Sequence, residues 1–278
     1  MRRIFYFLAT NAAIMIVVSI LVQFLPAEYR NHNSQFLVFA LVAGFGGSIV
    51  SLLMSKTMAK RTAGLVMIES PRNETERWLL DTVKRQADAA GIGMPEVGIF
   101  QTPQMNAFAT GASKNNALVA VSTGLLENMT REEAEAVMGH EIAHVANGDM
   151  ITLTLIQGVV NVFVLFLARA LGNVLSRYGR ELGYYAGWFI GQAVFGFLAS
   201  IVVAFFSRQR EYRADIGGAT YANKQGMIGA LEKLKQGQAG ELPKQLAAFG
   251  INSGVKSLFS THPPLDERIE ALRQNQDI

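Results

Sequence analysis

Four stretches without a single charged side chain, 4–25, 36–54, 150–168 and 182–207, constrain this chain more than anything else in it. A helix rises 1.5 Å per residue, so about 20 apolar residues cross the roughly 30 Å of a bilayer's hydrocarbon. Each stretch meets that length. Half of the 278 residues are hydrophobic and only 17% are charged, an unusual balance for a soluble protein of this size. The net charge of +3 does not point to nucleic acid, because Lys and Arg flank the apolar runs instead of forming a dense patch interleaved with aromatics. The absence of cysteine excludes disulfides, thiol catalysis and thiolate metal ligands.

Arg2 and Arg3 precede the first stretch, which exceeds the apolar region of a cleaved signal peptide and lacks an A-x-A-like site, so it reads as an uncleaved anchor. A polar link, 26–35, leads to the second stretch, which is followed by Lys56, Lys60 and Arg61. Residues 1–55 are therefore expected to form a transmembrane hairpin. Its basic ends put the N-terminus and everything after Lys56 in the cytoplasm. Residues 150–207 form a second apolar hairpin, expected to span the bilayer on length, although Arg169, Arg177 and Arg180 in its loop run against the charge rule. The alternative is a pair that dips into the bilayer and lies in a groove of the soluble part. Segments 56–149 and 208–278 have the composition of a soluble domain and read as its two halves.

Within the first half, Ser70 and Pro71 open a charged amphipathic helix that Gly91 can end. Short strands are expected at 97–101, 107–110 and 117–121, separated by Pro103 and by Gly111-Ala112-Ser113. Thr130 and Glu133 form a T-x-x-E capping box, which predicts a helix over 131–147 with Gly148 at its C-terminal cap. The last segment is mostly helical by pattern. There is no internal repeat and no Gly-rich phosphate loop.

His140-Glu141-Ile142-Ala143-His144 falls inside that capped helix and matches H-E-x-x-H. Residues four apart on a helix lie about 40° apart round its axis, so both imidazoles project from one face and can grip one ion. Glu141 is then close enough to hydrogen-bond a water on the metal without ligating it. A catalytic zinc needs a third protein ligand and one open position. A third histidine in the metzincin pattern is ruled out, since Asn147 and Met150 occupy the places of its glycine and histidine. A carboxylate from a later helix is the next choice, and Glu211 fits best. Asp215, one turn on, can accept the free ring N–H of a liganding histidine. Asp149 is the competing carboxylate, but beyond the Gly148 cap its side chain is expected to point away from the histidine face. An even number of crossings between His144 and Glu211 keeps both on one side of the membrane. His262, in Thr261-His262-Pro263-Pro264, is held rigidly before a last helix and either donates to an oxyanion or is a turn histidine fixed by prolines.

Taken in order, the N-terminal hairpin, Asn106-Ala107-Phe108-Ala109-Thr110-Gly111, the pentapeptide at His140, Glu211 to Asp215, and Thr261-His262-Pro263-Pro264 resemble the HtpX family of bacterial heat-shock membrane metalloproteases over essentially the whole chain. The resemblance implies one zinc ion per chain on His140, His144 and Glu211, with Glu141 as base, in a gluzincin site facing the cytoplasm of the inner membrane. It implies a role in quality control of damaged membrane proteins. It also makes Asn106, Ala107 and Phe108 part of an edge strand that binds extended substrate by strand addition. The expected fold is an α+β membrane protein: transmembrane helical hairpins with a mostly helical zincin-like catalytic domain carrying a small β-sheet. Expected partners are the lipid bilayer and membrane-protein or unfolded polypeptide substrates, with no nucleic acid. Two rival functions fit less well. A prenyl-protein endopeptidase would need a large lipid-exposed chamber, for which four apolar segments give little material. A scaffold with structural zinc would favour four protein ligands and has no use for Glu141.

Overall fold

The computed structural model describes residues 27–238 and 262–275. The first apolar stretch, 4–25, lies outside the described residues. Helix α1, Ala27–Thr62, contains the second stretch. Residues 27–35, expected as a polar link, are its opening turns, and no glycine or proline interrupts the sequence between 27 and 43. Polarity alone does not break a helix.

Strand β1, Val66–Met67, is too short to carry a pattern in sequence. Helix α2, Glu74–Ala90, begins after Asn73 and not at Ser70, because the Asn73 side chain accepts the Glu76 N–H at 2.8 Å. The Glu76 carboxylate in turn accepts the Arg72 N–H at 2.7 Å. Gly91 ends the helix in the left-handed conformation, as its sequence position predicts.

Strands β2, Glu96–Phe100, β3, Ala107–Ser113, and β4, Asn116–Ser122, complete a sheet of order β1-β2-β4-β3. Only the β2·β4 pair is parallel. Gly111 to Ser113, expected to separate strands, instead continues β3 across a bulge against β4. Alternation along β4 divides two layers. Ala117, Val119 and Val121 join the main core with Leu79, Val83, Val137 and Ile142, whereas Leu118 and Ala120 pack with Phe100, Phe108 and Ala59 of α1.

A short helix α3, Thr123–Asn128, precedes α4, Arg131–Asn147, whose capping box and Gly148 cap occur where the sequence predicts them. Helix α5, Asp149–Tyr221, bends at Arg180 (φ 51°, ψ −133°) into two antiparallel arms. Helix α6, Lys224–Lys233, continues into a π-helical turn, Leu234–Gln238, and α7, Leu265–Gln274, ends the described chain.

The described residues form two compact units, 27–51 with 153–203, and 52–152 with 204–238 and 262–275. In the first, the arms of α5 meet at small residues: a Cβ added to Gly191 would lie 2.6 Å from Ala168 Cα. Phe189, Ile190, Val194, Phe197, Leu198 and Val202 point outward on a helix apolar enough to cross a membrane. The second unit holds the sheet and the pentapeptide.

Candidate active site

Helix α4 presents His140 and His144 one turn apart, with Nε2 atoms 3.1 Å apart. The end of α5 crosses α4 at close range. A Cβ on Gly217 would fall 2.2 Å from Ala143 Cβ, and one on Gly218 would fall 2.8 Å from the Ala136 carbonyl oxygen. Only glycine allows this approach. It brings Glu211 to the imidazoles, with Oε1 3.3 Å from His144 Nε2 and Oε2 3.6 Å from His140 Nε2. All three side chains are buried.

Those separations suit a metal. Bonds of about 2.0–2.1 Å to nitrogen and oxygen in tetrahedral zinc put neighbouring ligand atoms about 3.3 Å apart. The charges agree, since Glu141, Asp149, Glu211 and Asp215 are all buried carboxylates, opposed among the described residues by buried Arg210 and Arg268. Burial pushes the Glu141 carboxyl up. Burial works against charge on His140 and His144, yet Asp215 and Glu211 raise the first, and Glu211 and Asp149 push the second up to about 10. Glu211 is held well below the usual carboxylate range, against burial, by His262 and His144. Four buried carboxylates around two imidazoles favour a cation at this place.

The sequence profile of peptidase family M48 matches residues 73–276. A protease HtpX homolog of Thiobacillus denitrificans is 56% identical over 99% of this chain and all of its own length. Protease HtpX of Stenotrophomonas maltophilia (strain K279a) is also 56% identical, over 98% of both chains. This chain belongs to the HtpX proteases of peptidase family M48. The crystal structure of S. mikatae Ste24p matches 95% of this chain with a TM-score of 0.66 at 18% identity, a likeness of fold. This chain spans 64% of that longer one.

As an HtpX protease it is a membrane protein and a zinc metalloendopeptidase, with His140, His144 and Glu211 as its zinc site. Around these ligands, Asp215 Oδ1 lies 3.0 Å from His140 Nδ1. His262 is buried just before α7, its Nδ1 2.8 Å from Glu211 Oε2. Glu141 Oε1 has no hydrogen-bond partner among the described residues, although the side chain is almost wholly enclosed.

Two groups at the site escaped sequence reasoning. Asp149 does not point away from the histidines: its Oδ2 accepts from His144 Nδ1 at 2.7 Å. Gly148, at φ 68°, both ends α4 and opens α5, and the reversal turns the first carboxylate of α5 back onto the last histidine of α4. Arg268 of α7 is 1% exposed and grips Asp215 with two bonds, Nε to Oδ2 at 2.8 Å and Nη2 to Oδ1 at 2.5 Å. Its Nη1 lies 3.4 Å from Glu211 Oε2. The available signal was a cation beside Ile269 and four residues before Leu272, on the buried face of an amphipathic helix.

Strand β3 lies at the edge of the described sheet. The side chains of Ala107 and Phe108 are fully buried in different layers, leaving their backbone as what they can offer a substrate. Asn106 is buried with neither side-chain polar atom partnered among the described residues. Thr110, Gly111 and Ser113 line one cleft together with His144, Gly148 and Met150, so the edge strand and a zinc ligand open onto the same space.

Proposed function

We propose that this enzyme hydrolyses internal peptide bonds in loops and exposed tails of membrane proteins, and in unfolded polypeptides, at the cytoplasmic face of the bacterial inner membrane, where it removes damaged proteins. The observation that carries this reading is Glu141, an enclosed carboxylate beside the zinc ligands with one oxygen unpartnered among the described residues, in a chain with helices long and apolar enough to cross a membrane.

Zinc held by His140, His144 and Glu211 supplies a Lewis acid for the scissile carbonyl and an acidified water. Glu141 takes the proton of the attacking water and passes it to the leaving amine. Burial, which raises its carboxyl, makes it a better proton acceptor than a solvated carboxylate. Asp215, with Oδ1 3.0 Å from His140 Nδ1, draws that nitrogen's proton toward itself and so favours the tautomer whose Nε2 lone pair is left for the metal. His262, whose Nδ1 lies 2.8 Å from Glu211 Oε2, serves the developing oxyanion through its other ring nitrogen. The backbone of Asn106, Ala107 and Phe108 aligns an extended substrate as an added strand, and the Asn106 amide, without a partner among the described residues, bonds the substrate backbone.

Purified zinc-loaded protein reconstituted in vesicles with a membrane protein carrying a long unstructured loop tests this reading. Internal fragments cut within the loop are expected, with a short-loop variant spared. Trimming only from chain ends, or equal cutting of folded soluble proteins, would refute it.

A further inference from the structure

We infer that Asp149 and Arg210 are positioning residues for the zinc ligand His144, and that their contact ties both ends of the apolar hairpin to the metal site. Two imidazoles hold the metal and each needs its ring nitrogens assigned. Asp215, which faces His140, rides on the same helical arm as Glu211. Asp149, which faces His144, comes from the first residue of the other arm, immediately before the apolar stretch at 150–168. By accepting the Nδ1 proton at 2.7 Å it fixes the tautomer in which His144 Nε2 carries a lone pair, and Nε2 is the atom that meets Glu211 and His140 Nε2.

Arg210 supplies the other half of the link. It directly precedes Glu211 at the end of the second apolar stretch and is 5% exposed. Its Nη1 donates to the Asp149 carbonyl oxygen at 3.2 Å and its Nη2 to Ser207 Oγ at 3.0 Å. The planar guanidinium therefore joins residue 149, where the chain leaves for the hairpin, to residue 207, where it returns. Burying a guanidinium is costly unless it is bonded, and these are bonds to a backbone oxygen and a hydroxyl at the points of departure and return. The turn that delivers one zinc ligand thus holds in place the residue that orients another.

The test is zinc affinity, by competition with a chelator on the full chain in detergent, together with the visible spectrum of the cobalt-substituted protein; neither depends on cleavage. Asp149→Ala should lose about 10- to 100-fold in affinity. Asp149→Asn, whose amide oxygen still accepts from Nδ1, should recover most of that loss and the wild-type spectrum. Arg210→Met should weaken binding in the same direction by a smaller factor, and combining it with Asp149→Ala should add nothing, because both act through one contact. If Asp149→Ala does not fold, Arg210→Met decides. Wild-type zinc affinity in Asp149→Ala, or in Arg210→Met, would overturn the inference, as would additive losses in the double variant.

Discussion

Glu211 sits where His140, His144, His262 and Arg268 converge, so its removal subtracts more than one ligand. Glu211→Ala is expected to weaken zinc binding by more than the roughly 10- to 100-fold that loss of an outer hydrogen-bond partner causes, as a chelator titration would read. Arg268 is the opposite case: it is not itself a ligand, but it is the cation that balances Asp215 and Glu211 in a closed interior. Arg268→Met leaves those carboxylates buried without it and should destabilise the zinc-free protein by about 3–5 kcal/mol in denaturant unfolding. A destabilisation below about 1 kcal/mol would mean that solvent reaches the pair. At this scale the sequence disclosed what a short motif fixes. His140, Glu141 and His144 follow from spacing on one helix, and Glu211 from the need for a third ligand. Asp149 was misjudged because its direction depends on the φ of one glycine, and Arg268 was missed because its only local mark is a place on the apolar face of a short amphipathic helix, while the carboxylates it meets come from a distant part of the chain.

The crossing of α4 by the end of α5 is what turns an isolated pair of histidines into a site. It depends on backbone proximity at Gly217 and Gly218. Gly217→Ala should force the helices apart, costing about 1–3 kcal/mol of stability and lowering zinc affinity with it. Removing the opposing methyl with Ala143→Gly should recover part of both losses, even though glycine costs about 1 kcal/mol in a helix. A double variant no more stable than Gly217→Ala in thermal melts would show that the contact at Ala143 is not what limits the approach. Element ends marked by local capping residues, the Thr130 and Glu133 side chains and the left-handed glycines Gly91 and Gly148, were legible in the sequence. The two-residue β1 and the passage of β3 through Gly111 were not, because sheet pairing settles them rather than local chemistry.

For the whole molecule, the chain leaves its catalytic unit at residue 152 and re-enters it at 204, with apolar helix between. Return to the same unit requires both halves to lie on one side of the bilayer. Topology reporters fused after Lys60, Met129 and Ile278 should therefore all read cytoplasm, and one after Arg30 the opposite side. An extracytoplasmic signal at Met129 would contradict that orientation. The central claim is that Glu141 moves protons beside a zinc ion it does not hold. Its most direct test is to measure zinc content and cleavage together in Glu141→Gln. The predicted result is one zinc per chain, as in the wild type, with cleavage reduced by about 10²- to 10⁴-fold. Loss of the metal, or cleavage at the wild-type rate, would contradict it.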